Sequence, residues 1–412
     1  MGASVTSKPI LIVGGGIGGL ATALALLRKG FAVSLFEQAA ELKEIGAGIQ
    51  LGPNVFKMFE MLGLTDAIRK LASFPDGLVM RDSITAEEVT SIKLGPEFDR
   101  KFRYPYGLIY RADLHRVLLD ACSASDLVTL QASHKIVGVD DRADGVTITD
   151  QDGKTHDGVA LIGCDGLWST VRPLIVGDGK PVVSGHVAYR AVLKTEDMPE
   201  AMRWPSMVIW CGEKVHLVHY PMRGGELFNL VAVFHSARFE EGWNTFGDAA
   251  ELQERFAQTC EPVRTVLAKV ETWRMWVLSD RPPVKNWTKG RMTLLGDAAH
   301  PMLQYLAQGA CMAIEDAVCL ADQLEKHGGD YNAAFLGYQA LRYLRTGRVQ
   351  IMARVYGEFY HAAGVARELR NQMLGGRDPA AAMESMEWLY GEQAVLAATI
   401  GPGPRTQKAA AG

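Results

Sequence analysis

Residues 9–37 read PILIVGGGIGGLATALALLRKGFAVSLFE, and the order of residue types in this stretch decides the fold. Residues 9–13 form a short apolar run, the pattern of a parallel strand buried on both faces. Five of the six residues from Gly14 to Gly19 are glycine, a composition that suits a turn and disfavours a continuous helix. The uncharged run 10–27 is therefore read as strand and turn rather than as a leader or a membrane span. Residues 17–29 carry Ala and Leu at helical spacing and end before Gly30, a residue suited to the position just past a helix. Residues 31–36 form a second apolar run that stops at Glu37. Strand, glycine turn, helix and strand within about thirty residues make a βαβ unit.

The chemistry of the turn follows from its spacing. Gly14, Gly16 and Gly19 match G-x-G-x-x-G: the first permits the tight turn, the second lets backbone N–H groups approach a pyrophosphate, and the third allows close helix–strand packing. The phosphates then face the positive end of a helix. Glu37 is placed to accept hydrogen bonds from an adenosine ribose, and an acid there disfavours a 2′-phosphate. The site is read as one for FAD or NAD rather than NADP.

Outward from this unit, 412 residues allow two to three domains, sequential or interleaved. A net charge of −4 without long runs of one sign argues against nucleic acid or an anionic membrane surface as partner. The six cysteines are scattered without a CxxC pair, which fits neither a zinc site nor a disulfide framework, so no metal is expected and a cytoplasmic location is. The segment from Gly48 to Lys70 suggests a helix, and a charged, irregular region follows to about Lys101. Residues 111–122 are again helical in pattern, 137–148 alternate like a hairpin closed at Gln151-Asp152-Gly153, and 159–164 form a buried strand. Residues 182–274 change to alternating strands rich in Val, Tyr, Trp and His, the pattern of an antiparallel sheet. Residues 292–295 are a further apolar strand, 308–324 a helix, and 342–374 one or two long helices. Parallel-type strands on both sides of the antiparallel region imply a discontinuous domain with a second one inserted.

Two more motifs place an Asp directly after a buried strand: Cys164-Asp165-Gly166-Leu167-Trp168-Ser169-Thr170-Val171-Arg172 and Gly296-Asp297-Ala298-Ala299-His300-Pro301. With the N-terminal loop, these resemble in order and spacing the three fingerprints of the single-component flavoprotein aromatic hydroxylases, over nearly the whole chain. The resemblance implies an α/β fold: a Rossmann-like FAD-binding domain (1–75, 102–180, 275–345), an inserted antiparallel substrate domain (76–101, 181–274), C-terminal helices (346–400) and a disordered tail (401–412). It assigns Asp297 to the ribityl chain of FAD, Arg111 to the neighbourhood of the flavin phosphates, and Asp165 and Arg172 to FAD and a transient nicotinamide cofactor. Ile17, Gln38, Ile49 and Ala310 complete the cofactor set it implies. No second glycine fingerprint appears downstream, which fits a nicotinamide, NADH in preference to NADPH, that binds only in passing.

In His216-Leu217-Val218-His219-Tyr220-Pro221, residues i and i+4 of a strand share a face, so His216 and Tyr220 point together and His219 points away. This pair, with Gln304-Tyr305-Leu306-Ala307-Gln308-Gly309, resembles the 3-hydroxybenzoate 6-hydroxylases, whose matching His, Tyr and Gln surround the substrate. Salicylate and 6-hydroxynicotinate hydroxylases tend to carry a Pro-His or similar pair where this chain has Gln304-Tyr305. The implied reaction hydroxylates 3-hydroxybenzoate para to its hydroxyl, using O₂ through a flavin C4a-hydroperoxide. His216 would be general base, with Tyr220, Gln304 and Tyr106, preferred over Tyr104, around the ring. A homodimer is expected by resemblance alone. The alternatives are a salicylate or 6-hydroxynicotinate hydroxylase, an FAD dehydrogenase that does not use O₂, and a non-catalytic flavin-binding redox sensor.

Overall fold

The computed structural model describes residues 8–43, 46–142, 144–237 and 245–401. Its first sheet has six strands in the order Thr288–Lys289, Met292–Leu294, Ala160–Gly163, Ile10–Val13, Val33–Phe36 and Val128–Gln131. All are parallel except the edge pair Thr288–Lys289 and Met292–Leu294. Ile10–Val13 lies in the middle because all four of its side chains are buried, each worth about 1.5–3 kcal/mol when fully withdrawn from water. Helix Ile17–Arg28 covers one face and packs against helix Gly309–His327; a Cβ on Gly18 would already touch Ala313 and Leu295 at 3.4 Å.

The second sheet has eight strands in the order Thr245–Phe246, Arg274–Asp280, Val182–Lys194, Leu227–His235, Val215–Met222, Met207–Gly212, Gly77–Asp82 and Glu88–Lys93. Side chains alternate across it. Val187, Tyr189, Leu217, Leu230 and Ala232 pack on Leu252, Phe256, Val263 and Val266 of two short helices. Ala188, Val231 and Val233 face the other way, against Leu303, Tyr305 and Ala353. The face is set by the period of two, which a one-residue slip would reverse.

Several expectations are corrected. The segment after Gly48 is not a single helix: Gly48–Leu51 pairs with Gly107–Tyr110, and two helices, Pro53–Leu62 and Thr65–Leu71, follow. The charged region before Lys101 contains two strands and helix Pro96–Phe102. The inserted sheet is not wholly antiparallel, because Met207–Gly212 runs parallel to Gly77–Asp82, a strand delivered from far upstream. A boundary at 274/275 would cut strand Arg274–Asp280, which belongs to the sheet, and one at 345/346 would cut helix Tyr331–Tyr360. Apart from Gly401, the expected disordered tail lies outside the described residues. No helix among the described residues is long and apolar enough to cross a membrane.

Candidate active site

The carboxyl ends of the parallel strands stop in register. Gly14 N donates to Phe36 O at 2.8 Å, Cys164 N to Val13 O at 2.7 Å, and Leu295 N to Gly163 O at 2.9 Å. Just beyond these ends stand Glu37, Asp165 and Asp297, at the edge where open α/β sheets bind ligands.

Gly14 has φ +106°, and a Cβ there would lie 2.4 Å from Cys164 O; a Cβ on Gly19 would lie 1.9 Å from Gly14 O. Both glycines are thus demanded by close backbone approach, Gly14 to the end of the neighbouring strand and Gly19 within the turn. Gly16 is the N-cap of helix Ile17–Arg28 and supplies no side-chain cap, and the first turn holds no acid. Glu37 holds this loop itself: its Oε2 accepts from Gly15 N at 2.7 Å and its Oε1 from Ala39 N at 2.8 Å. Gln38 beside it is exposed.

Asp165 Oδ2 accepts from Thr170 N at 2.7 Å and Thr170 Oγ1 at 3.0 Å, while its buried Oδ1 has no protein partner. Asp297 turns its carboxylate to a cavity of about 650 Å³, which Ile49, Arg111 and Ala310 also line. Loss of surrounding water pushes its carboxyl above the usual range, against the pull of His300 and Arg111. Helix Gly309–His327 likewise begins without a side-chain cap or an acid in its first turn. Two uncapped helix starts and carboxylates with accepting capacity are what phosphates and sugar hydroxyls require. The residues fit an FAD nucleotide. Arg172 departs from its expected role. It is 1% exposed, its guanidinium binds Asp178 at 2.6 Å and the carbonyls of Ala298 and Ala299 at 2.7 Å, and so it holds the Asp297 loop rather than facing a cofactor.

The remaining expected residues meet on the same cavity: His216, Tyr220, Gln304 and Tyr106 all line it. Tyr106 Oη donates to Gln50 Oε1 at 2.5 Å, whereas Tyr104 lies against Lys57 and Glu60 in a separate outer pocket. Tyr220 sits 2.4 Å from where a Cβ on Gly48 would be, so Gly48 is needed for its placement, and Asn229 Oδ1 accepts from Gly48 N at 2.7 Å. Burial raises the hydroxyls of Tyr106 and Tyr220 well above the usual phenol range. His219 does point the other way, against Trp204 and Phe228. His216 is 3% exposed; burial, and then the neighbouring His186, pulls its imidazole down to about 3, leaving it neutral at pH 7.

Sequence reasoning missed Arg190. It lines the cavity, donates to Gln304 Oε1, stacks over Trp276 at 5.3 Å and leaves a buried Nε without a partner. Burial lowers it to about 10, so it remains a cation at pH 7. Also missed was the charge cluster beneath the site. Asp316 accepts from Gly296 N at 3.2 Å and from His300 Nε2 at 2.5 Å, and pairs with Arg342 at 2.6 Å; Glu315 pairs with Arg345 and Arg342, each at 2.7 Å. Two adjacent acids within the otherwise mostly apolar helical run 310–324 were the available signal.

The buried imidazoles make stability depend on pH. His216 and His219 are pulled down to about 3, His186 to about 4 and His361 further, burial being the first cause in each. Unfolded, each takes a proton below about 6.5; folded, it does not until near its own lowered value. Unfolding therefore takes up protons in this window, and stability falls with pH by about 1.4 kcal/mol per unit for each histidine. Asp165 and Asp297, raised by burial, act in the opposite sense but are fewer. Thermal melts should show a midpoint nearly constant from pH 8 to 7 that drops steeply below 6.5. A midpoint unchanged down to pH 5 would contradict this.

The model of the FAD binding domain family matches residues 7–334. The chain is 46% identical over 383 residues to 3-hydroxybenzoate 6-hydroxylase of Polaromonas naphthalenivorans, covering 93% of this chain and 96% of that protein. It is 45% identical to the 3-hydroxybenzoate 6-hydroxylase of Klebsiella oxytoca, over 92% and 96%. Among solved structures, Klebsiella pneumoniae HpxO complexed with FAD and uric acid superposes with a TM-score of 0.81 at 27% identity, covering 92% of this chain and 95% of that one.

Proposed function

Because this chain belongs to the single-component, FAD-dependent aromatic hydroxylase family, we propose that it converts 3-hydroxybenzoate to 2,5-dihydroxybenzoate, with NADH as reductant and O₂ as oxygen source. The observation that carries the reading is the pairing of a neutral imidazole, His216, with a guanidinium, Arg190, on one cavity. A phenol needs a base and a carboxylate needs a cation, and a hydroxybenzoate presents both.

FAD, when bound, would pass the electrons of NADH to O₂ and so activate the oxygen that is delivered to the ring. Asp297 and the uncapped starts of helices Ile17–Arg28 and Gly309–His327 would hold it, with Glu37 at the adenosine end and Gly14, Gly16 and Gly19 shaping the turn. Arg111, Asp165, Ile17, Gln38, Ile49 and Ala310 complete this proposed set. His216 takes the phenolic proton, which raises the electron density of the ring at the para carbon. Arg190 and Gln304 orient the carboxylate, and Tyr220 and Tyr106 flank the ring. Apolar walls, Val218 and Val231 among them, keep bulk water from the reacting atoms. Leu344, Val365, Leu369 and Met373, exposed on the C-terminal helices, support a homodimer that covers them, and the scattered cysteines without a CxxC pair support a cytoplasmic location.

The test is the product. Holoenzyme, NADH and air with a panel of hydroxybenzoates should yield 2,5-dihydroxybenzoate from the 3-isomer, identified by mass and NMR. Arg190→Met should raise KM for this acid by about 10–100-fold, the loss of a charge-assisted hydrogen bond. Preferred turnover of salicylate or of 6-hydroxynicotinate would overturn the substrate, and NADH consumption indifferent to every phenol would favour a sensor.

A further inference from the structure

His216 is the first of three linked imidazoles. Its Nδ1 lies 2.7 Å from Nε2 of His361, and Nδ1 of His361 lies 3.1 Å from Nε2 of His235. The three come from separate elements: strand Val215–Met222, the C-cap of helix Tyr331–Tyr360 and the end of strand Leu227–His235. His216 and His361 are 3% and 6% exposed, and His235 is partly open to solvent.

The two contacts share one polarity. A hydrogen bond between imidazoles needs an N–H on one ring and a lone pair on the other. With the N–H on Nδ1 in every ring, both contacts are satisfied. His216 then keeps its Nε2 lone pair for the cavity, and His235 keeps an N–H for the outside. We propose that His216, His361 and His235 form a proton relay that carries the phenolic proton from the cavity to solvent.

This rests on the reading of a phenolic substrate. The phenol O–H bond breaks as its proton joins His216 Nε2. The Nδ1 proton of His216 passes to His361 Nε2, that of His361 to His235 Nε2, and that of His235 to water. One proton leaves, no charge accumulates on a buried ring, and the N–H of each ring moves from Nδ1 to Nε2. The same path run backwards returns a proton to the phenolic oxygen of the product and restores the rings. A neutral relay suits the site, since a buried imidazolium is costly. Around it stand Tyr305 and Tyr360 beside His216, His186 and Arg370 beside His361, and Glu358, Lys214 and Arg255 beside His235. His186 stacks on His235 at 4.1 Å between centroids, and both nitrogens of His361 are engaged by rings. That arrangement passes protons rather than converging lone pairs on an ion.

The experiment follows the deprotonation of bound 3-hydroxybenzoate by stopped-flow ultraviolet absorbance in FAD-loaded parent, His361→Phe and His235→Asn. In both variants deprotonation should slow at least tenfold and kcat fall in proportion, with KM for the acid within twofold. Imidazole in the buffer should restore part of the rate in His235→Asn, whose lost ring is the outermost. Deprotonation within twofold of the parent in His235→Asn overturns the relay, even where His361→Phe fails to retain FAD. So does a lower kcat at an unchanged deprotonation rate, which would mean that the rings only pack. Product formation by the parent in the same preparation separates the two levels. Its absence overturns substrate reading and relay together, and its presence with unchanged variant rates overturns the relay alone.

Discussion

His216→Ala will leave FAD bound and reduce hydroxylation of 3-hydroxybenzoate by about 10²–10⁴-fold, the usual contribution of a positioned general base. The residue is the second of strand Val215–Met222, paired to Cys211 on one side and Val233 on the other, and the strand is held by these neighbours rather than by the imidazole. The groups proposed to hold the nucleotide belong to other elements than strand Val215–Met222, so the flavin spectrum of the purified variant should match the parent's. The truncation also removes ring contacts to Tyr305, Tyr360 and His361. His216→Asn separates the two effects, because an amide fills much of the space and keeps a hydrogen bond to His361 without being a base. Both variants should lose rate alike if proton removal is the function. An asparagine variant within threefold of the parent would assign His216 to packing. Single-turnover product yield is the measurement to use, since NADH oxidation can continue without hydroxylation once water reaches the flavin.

Arg342→Met should cost about 3–5 kcal/mol of stability and with it the affinity for FAD. Arg342, Glu315 and Asp316 are all fully buried, and the arginine pairs with both acids at 2.6 and 2.7 Å. Burial alone would raise the Asp316 carboxyl, but His300 and Arg342 together pull it down to about 2. Removing the guanidinium leaves the buried Asp316 with His300 as its remaining side-chain partner and Glu315 with Arg345 alone, and breaking a buried pair from one side is strongly destabilising. Asp316 also holds Gly296 N and His300, so its neutralisation or rotation would release the loop that presents Asp297. Urea unfolding and FAD titration should move together. The double change Arg342→Met, Asp316→Asn is expected to recover part of the stability, because Glu315 keeps its pair with Arg345 and no carboxylate is then left without a partner. A single Arg342→Met with parental stability would show that Arg345 suffices for Glu315 and His300 for Asp316.

The βαβ unit was legible from residue order because its turn and helix are set by local spacing, and the inserted sheet because its strands alternate with a period of two. The glycine turn is forced by Gly14 meeting Cys164 and Gly19 meeting Gly14, and the period of two in residues 215–222 put His216 and Tyr220 on one face before any neighbour was known. Arg172 was misread because an arginine in a cofactor motif looks the same whether it faces the ligand or braces the loop behind it. The partners that decide, Asp178 and the carbonyls of Ala298 and Ala299, are revealed only in space. Arg190 gave no signal, as one arginine in an alternating strand is ordinary until the opposite wall of the cavity is known. His235 and His361 were equally silent, for they meet His216 only through a strand end and a helix end that fold onto the same corner. The sequence by itself therefore determined the cofactor half of this protein, whose rules are local spacing and backbone conformation. The tertiary structure alone decided that Arg190 joins His216 on one cavity and that His361 and His235 stand behind it, because burial, pairing and polarity belong to groups brought together from distant parts of the chain.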